Sequence, residues 1–344
     1  MLFIFSDKTL KKKMSEAIQK YMFLKSNTVG IVGVSVKEGQ NLLGVELAPE
    51  KIRSGGLFEV IKSLNWDYSD KGDIKTEDIQ TQKCSAKIYK YEELKNVDII
   101  GAANEKLHNK TSEIAELGQF CITLGGDHGC ASGSISGLKK VYKDLKVIWV
   151  DAHSDCNIPE TSPSGNYHGM PVAHLLGWIP DGSVPGFDWF KSCLKNEDIV
   201  IIGLRDVDEG EKVLLKKHGI KCFSMHDVVK YGISGVMEKT FEYFRKDGVD
   251  HPIHISYDVD GIDPTVAYGT GTKARGGLLY REAHYIVREV VSTGQFVSMD
   301  VVEVNPLLDK EKEYFHGDSK LIKGTETVCL AIELCASALG YTLL

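Results

Sequence analysis

Six residues of this 344-residue chain have the types and spacing for metal chemistry: His128, Asp151, His153, Asp155, Asp258 and Asp260. Three of them alternate along Asp151-Ala-His153-Ser-Asp155, directly after the apolar run ending Ile148-Trp149-Val150. Alternate positions at a strand end point the same way, so all three face one spot beyond the sheet. His128 closes Gly125-Gly-Asp-His, and Asp258 and Asp260 follow a third apolar run. Four carboxylates and two imidazoles make a hard, mixed nitrogen and oxygen donor set, suited to Mn²⁺, Co²⁺, Fe²⁺ or Zn²⁺. Six ligands exceed the needs of one open catalytic ion and suit two ions bridged by shared carboxylates. Four buried aspartates with no cation between them would repel one another prohibitively. A bridged pair lowers the pKa of its water and yields hydroxide near neutral pH, so the reaction class is metal-assisted hydrolysis. A polar loop with an incidental histidine would account for one of these segments, but not for three.

The elements that must position these residues read as strands alternating with helices. Strands are expected at Val29–Val36, Phe120–Leu124, the run ending at Val150, 197–205, Lys221–Ser224, Pro252–Tyr257 and Phe296–Glu303. Helices are expected at Ala48–Leu64, Glu92–Leu117, Ala131–Val141, Glu211–His218, Gly235–Phe244, Arg281–Ser292 and 324–339. Residues 65–83 read as polar and irregular, with one strand at most. That alternation predicts an α/β fold: a single three-layer α/β/α domain with a mainly parallel sheet, its ligands beyond the carboxyl ends of the strands. The domain should span 29–344, preceded by a helical extension at 1–28 with its helix at 8–25. The long Ser-, Gly-, Pro- and Asn-rich loop at 156–171 reads as functional.

Composition narrows the function. A hydrophobic fraction of 42% and a charged fraction of 26% are those of a soluble globular protein. A net charge of −7 argues against a nucleic-acid partner, and no apolar run approaches the ~18 residues of a membrane span. The eight cysteines are scattered without a Cys-x-x-Cys, which with the absence of a secretory leader suggests a reducing, cytoplasmic setting. Cys156 should point away from the metals. Asp206 reads as a solvated or structural carboxylate, and His174, His218, His226, His251, His254, His284 and His316 as structural or surface residues. Gly269-x-Gly271 is a turn, since it lacks the strand–helix context of a nucleotide loop.

Gly125-Gly-Asp-His128, Asp151-Ala-His-x-Asp155 and Ser256-x-Asp-Val-Asp-x-x-Asp-Pro264 together resemble the three signatures of the arginase, or ureohydrolase, family, over about residues 29 to 340. The resemblance implies an arginase–deacetylase-like fold, a homotrimer and two Mn²⁺ per chain. It implies that His128, Asp151, Asp155 and Asp258 hold one ion and Asp151, His153, Asp258 and Asp260 the other. Asn157, Ser164 and Asn166 would grip the α-carboxylate of L-arginine, and Asp208, assisted by Glu211, its α-ammonium. Glu303 would bind the guanidinium, with Thr272 in the matching Thr-Gly-Thr segment. Asp155 would pass a proton to the leaving amine and His168, near neutral pKa, would shuttle protons to solvent, giving L-ornithine and urea. Gly129, Cys156, Tyr268 and Met170 depart from the usual family residues, and none of these departures removes a ligand. Two other readings remain at this stage: a related ureohydrolase acting on agmatine or a guanidino acid, and a catalytically weakened binding protein.

Overall fold

The computed structural model describes residues 21–80, 90–310 and 321–341. Eight strands form one sheet: β1 (Thr28–Ser35), β2 (Asp67–Lys75), β3 (Phe120–Leu124), β4 (Lys146–Val150), β5 (Ile199–Leu204), β6 (Lys221–Ser224), β7 (Ile253–Asp258) and β8 (Phe296–Val302). Their spatial order is β2-β1-β3-β8-β7-β4-β5-β6, and every neighbouring pair is parallel. Strands β3, β4, β5, β7 and β8 are buried at every residue, as the continuous apolar runs demand of strands covered on both faces.

The helices are α1 (Ala48–Ile52), α2 (Phe58–Ser63), α3 (Val97–Glu116), α4 (Ala131–Val141), α5 (Pro171–Leu175), α6 (Glu209–His218), α7 (Met225–Phe244), α8 (Tyr280–Thr293) and α9 (Glu326–Ala338). Alternation along β4 and β5 divides the core in two. Ile148, Val150, Val200 and Ile202 pack with α7, α8 and α9 in one apolar cluster. Val147, Trp149, Ile199 and Ile201 pack with Ile100 of α3, Ile135 of α4 and Val172 of α5 in the other. This is the expected three-layer α/β/α domain.

Several boundaries differ from expectation. The helix expected at 8–25 lies mostly outside the described residues, and its described end, 21–25, is turn rather than helix. Tyr21 there is buried against Trp66 and Phe120, and its hydroxyl donates to the Ala338 carbonyl at 2.7 Å. The helix expected over 48–64 is interrupted by a π-helical turn at Arg53–Leu57. Gly56 has φ +112°, and a Cβ on it would lie 2.0 Å from the Leu321 carbonyl oxygen, so glycine is required where the returning chain crosses. The polar stretch after it forms β2, an edge strand whose order comes from pairing with β1 rather than from an apolar pattern. Helix α3 starts at Val97 rather than Glu92. Helix α7 starts ten residues before the expected Gly235, behind a Ser224 cap, because a kink at Gly232 joins a first short turn to it.

Candidate dinuclear metal centre

The sheet delivers its chemistry where β3, β4, β7 and β8 end. Gly125–Asp127 turns so tightly beneath β1 that a Cβ on Gly126 would sit 1.9 Å from the Val36 carbonyl oxygen. Asp127 then accepts from the backbone N–H of Gly129 at 3.0 Å and of Gly39 at 2.9 Å, fixing the turn that presents His128. The His128 ring is buried and stacked on Trp149, with centroids 3.9 Å apart. Its Nδ1 lies 3.1 Å from Asp151, 3.1 Å from Asp155 and 3.3 Å from Asp258, while its Nε2 meets the Ser256 hydroxyl at 2.9 Å. Beside it, His153 Nδ1 lies 3.3 Å from Asp151 and 3.1 Å from Asp260.

Two groups with ligand atoms mutually within 4.8 Å follow: His128, Asp151 and Asp155, and Asp151, His153 and Asp260. Asp151 belongs to both. Around them, Asp151 accepts from the Trp149 indole N–H at 3.0 Å, and Asp260 accepts from the Thr272 hydroxyl at 2.7 Å and the Ala152 N–H at 3.2 Å. The Asp258 carboxylate accepts from the Asp260 N–H at 2.8 Å. Asp206 is exposed, its carboxylate 3.7 Å from His153 Nε2.

The electrostatics are those of a site short of positive charge. Burial, then the charge of Asp151, pushes the Asp155 carboxyl up to about 7. Burial and then Asp260 and Asp151 raise Asp258 well above the usual range, and burial with Asp151 raises Asp260. Burial opposes a charge on His128, yet Asp151, Asp155 and Asp258 together hold its pKa well above the ordinary histidine value. Burial likewise opposes ionisation of Asp151, but His128 and His153 keep its carboxyl below the usual range. So many buried carboxylates together call for compensating positive charge, and the donor set fits two divalent ions.

The remaining expected residues fall into a cleft of about 120 Å³ above this floor, lined by Asn157, Ser164, Asn166, His168, Asp208, Glu211 and Thr272 among others. Asn157 donates to Asp208 at 3.0 Å. Glu211 reaches the wall with its oxygens already accepting from Ser154, Cys156 N–H and Asp208 N–H, so it fixes the start of α6 and thereby Asp208. Glu303 lies beneath the cleft lining, 2% exposed, accepting from the His128 N–H at 3.0 Å and meeting His168 Nδ1 at 3.1 Å. Burial opposes a charge on His168, but Glu303 carries its pKa up to about 9, higher than the near-neutral value expected. Asp155 and Glu303 adopt φ +48° and +60°, a left-handed backbone costing about 1–3 kcal/mol at each non-glycine position, and both sit at the site. Cys156 is packed in the apolar cluster away from the ligands, as expected, and His174 is held in the core by the Tyr167 hydroxyl at 2.7 Å.

Removing the metal should expose this charge imbalance. Asp155 and Asp127, each raised to about 7, contribute stability below the ordinary carboxyl pKa and lose it as pH climbs through 7. His168, raised to about 9, contributes below its ordinary value and loses it as pH climbs through 9. The metal-free protein should therefore melt at its highest temperature near about pH 4–5 and progressively lower as pH rises from there to about 9, with Mn²⁺ restoring stability at about pH 8. Thermal melts in chelator and in Mn²⁺ across that range check it; a chelated protein most stable at pH 8–9 would contradict it.

Sequence reading missed Arg205. Its guanidinium donates to the carbonyls of Gly203, Asp260, Gly261, Ile262 and Ala274, at 2.5–3.3 Å, clamping the turn that carries Asp260. Its only signal was its place in Gly203-Leu-Arg-Asp, ahead of the Asp208 loop. Arg205→Ala should weaken one cation by about 10–100-fold, the usual cost of removing a ligand's support, while sparing the other. Stepwise Mn²⁺ titration by calorimetry checks it, and equal weakening of both ions would mean a general loss of structure.

A fully parallel α/β sheet with paired histidine–aspartate groups at its carboxyl edge defines the class of metal-dependent α/β hydrolases. The comparisons give the family. The model described as the Arginase family matches residues 27–340. The chain is 44% identical to human Arginase-1 over 325 residues, covering 93% of this chain and 95% of that one. Its fold matches the arginase of Bacillus subtilis at a TM-score of 0.79 and 38% identity, covering 92% and 100% of the two chains. It also matches the arginase of Entamoeba histolytica in complex with L-ornithine at a TM-score of 0.76 and 28% identity, covering 93% and 100%. The chain belongs to the arginase family and is a hydrolase of that family.

Proposed function

We propose that the protein hydrolyses the guanidinium group of L-arginine to L-ornithine and urea, with two Mn²⁺ per chain. The observation that carries this reading is Asp151, shared by two ligand groups at the floor of a cleft whose walls offer Asn157, Ser164, Asn166 and Asp208. His128, Asp151, Asp155 and Asp258 would hold one ion, and Asp151, His153, Asp258 and Asp260 the other. When bound, such an ion pair would balance the aspartates and supply Lewis-acid activation of a water as the nucleophile. The α-carboxylate of arginine meets Asn157, Ser164 and Asn166, and its α-ammonium meets Asp208. Glu303 receives the planar guanidinium cation through charge-assisted hydrogen bonds. Asp155 carries a proton to the departing amine nitrogen, and His168, paired with Glu303, returns protons between site and solvent.

The ornithine complex of the Entamoeba relative supports the amino-acid reading of the cleft. A homotrimer, on the strength of the family likeness, and a cytoplasmic location, on the strength of scattered cysteines without a Cys-x-x-Cys, complete the proposal. None of the helices among the described residues is long and apolar enough to cross a membrane. The test is elemental analysis after dialysis against Mn²⁺, with product release from L-arginine and from agmatine on the same sample. About two metals per chain and urea from arginine support the proposal, whereas turnover of agmatine alone would transfer the protein to an agmatine-type ureohydrolase. Light scattering tests the trimer.

A further inference from the structure

A second cavity, about 590 Å³, opens at the other end of the sheet, where β4, β5 and β7 begin. Its volume is in the range that holds small metabolites. It shares no lining residue with the catalytic cleft. Strand β4 separates the two: Lys146 at its first residue lines the cavity, and Asp151 follows its last. At about 3.3 Å per residue the strand keeps them roughly 16 Å apart.

The floor of this cavity carries an unbalanced buried charge. Lys146 lies 2.7 Å and Lys139 3.3 Å from the single carboxylate of Asp198, and the three side chains are only 11%, 10% and 8% exposed. Two ammonium groups therefore share one carboxylate. Asp198 spends part of its capacity on the Lys195 backbone N–H at 3.1 Å, and Lys139 turns in part to the Lys143 carbonyl at 2.9 Å. A buried surplus cation is costly unless an anion meets it.

The rim extends the same sign. Lys143, Lys195 and Lys246 line the opening, and none of them has an ion-pair partner among the described residues. Lys246 lies instead over the Tyr243 ring, 3.9 Å from its centroid, leaving one wall aromatic. Four carboxylates line the cavity, Asp144, Glu197, Asp198 and Asp247, the last hydrogen-bonded to His251 at 2.8 Å, against five lysines, so the lining carries one more formal positive charge than negative. In a chain of net charge −7, this concentration of lysine is local.

The geometry points to a binding site for a small anion carrying phosphoryl or carboxylate groups, distinct from the arginine cleft. The anion would seat its charge against Lys139 and Lys146 and be held at the mouth by Lys143 and Lys195. The inference is independent of the catalytic proposal, since no residue or metal is common to both.

Inorganic phosphate and succinate, each titrated calorimetrically into the Mn²⁺-loaded protein at constant ionic strength, test it. The comparison is with the double variant Lys143→Met, Lys195→Met, whose exposed positions leave the core intact. Saturable binding of either anion, weakened about tenfold in the variant, is expected, and it comes with arginine turnover unchanged in both proteins. Phosphate alone binding would make the ligand a phosphoryl compound, and succinate alone a carboxylate. Binding that is equal in the variant belongs to the metal centre and overturns the inference, as does absence of binding by both anions. Protection of Lys195 from amine acetylation by the bound anion, read by mass spectrometry, locates the site directly.

Discussion

Asp151→Ala should lower arginine turnover by about three orders of magnitude or more and release both metal ions, not one. Metal-assisted stabilisation of developing charge is worth several kcal/mol, and each ~1.4 kcal/mol is tenfold in rate. The doubling of the effect comes from position. Asp151 lies 3.1 Å from the His128 ring nitrogen and 3.3 Å from that of His153, and it is the one residue common to both ligand groups. Its oxygens also accept from the Trp149 indole and the His153 N–H, at 3.0 and 2.7 Å, so the carboxylate is already aimed before any cation arrives. Elemental analysis decides the matter, because full metal content with normal turnover would remove Asp151 from the bridging role. A loss confined to one ion would place it on a single site.

Glu303→Gln is expected to cut kcat/KM by about two orders of magnitude, near 3 kcal/mol, with both metals retained. The carboxylate is buried, and it holds the His128 N–H at 3.0 Å and the His168 ring at 3.1 Å. An amide keeps the shape and one acceptor, so the backbone of the His128 turn stays anchored. Both bonds fall on Oε1, so the amide NH2 takes the place of Oε2 and faces the N–H groups of a guanidinium with the wrong polarity. Without the negative charge, His168 should also fall from its raised pKa toward the ordinary histidine value, and the pH dependence of turnover should shift to lower pH. A structural role alone would alter melting temperature and leave that profile in place. Unchanged kcat/KM would show that the guanidinium does not depend on Glu303.

Much of the candidate metal centre was legible in the chain because its candidate ligands come in short runs. Asp151, His153 and Asp155 follow one apolar strand directly, so the end of β4 delivers them together, although they lie beyond its last residue, Val150, and Asp155 turns to φ +48°. Asp258 ends β7 and Asp260 sits in the tight turn that follows it. The alternation of apolar strands with helices likewise required a covered parallel sheet, since runs such as Val147–Val150 are buried on both faces. Tertiary structure alone decided what depends on distant partners. Strand β2 is polar and becomes a strand only by pairing with β1, and α1 and α2 part where residue 321 crosses Gly56. Glu303 reaches His128 across 175 residues of chain, and Arg205 ties the Asp260 turn to a carbonyl 69 residues from its own position. Such contacts leave no local period, because hydrogen bonds between separate loops are set by how the strands stack rather than by neighbours in sequence. The same is true of the surplus positive charge at the amino ends of β4 and β5, where Lys139, Lys146 and Asp198 meet from three elements.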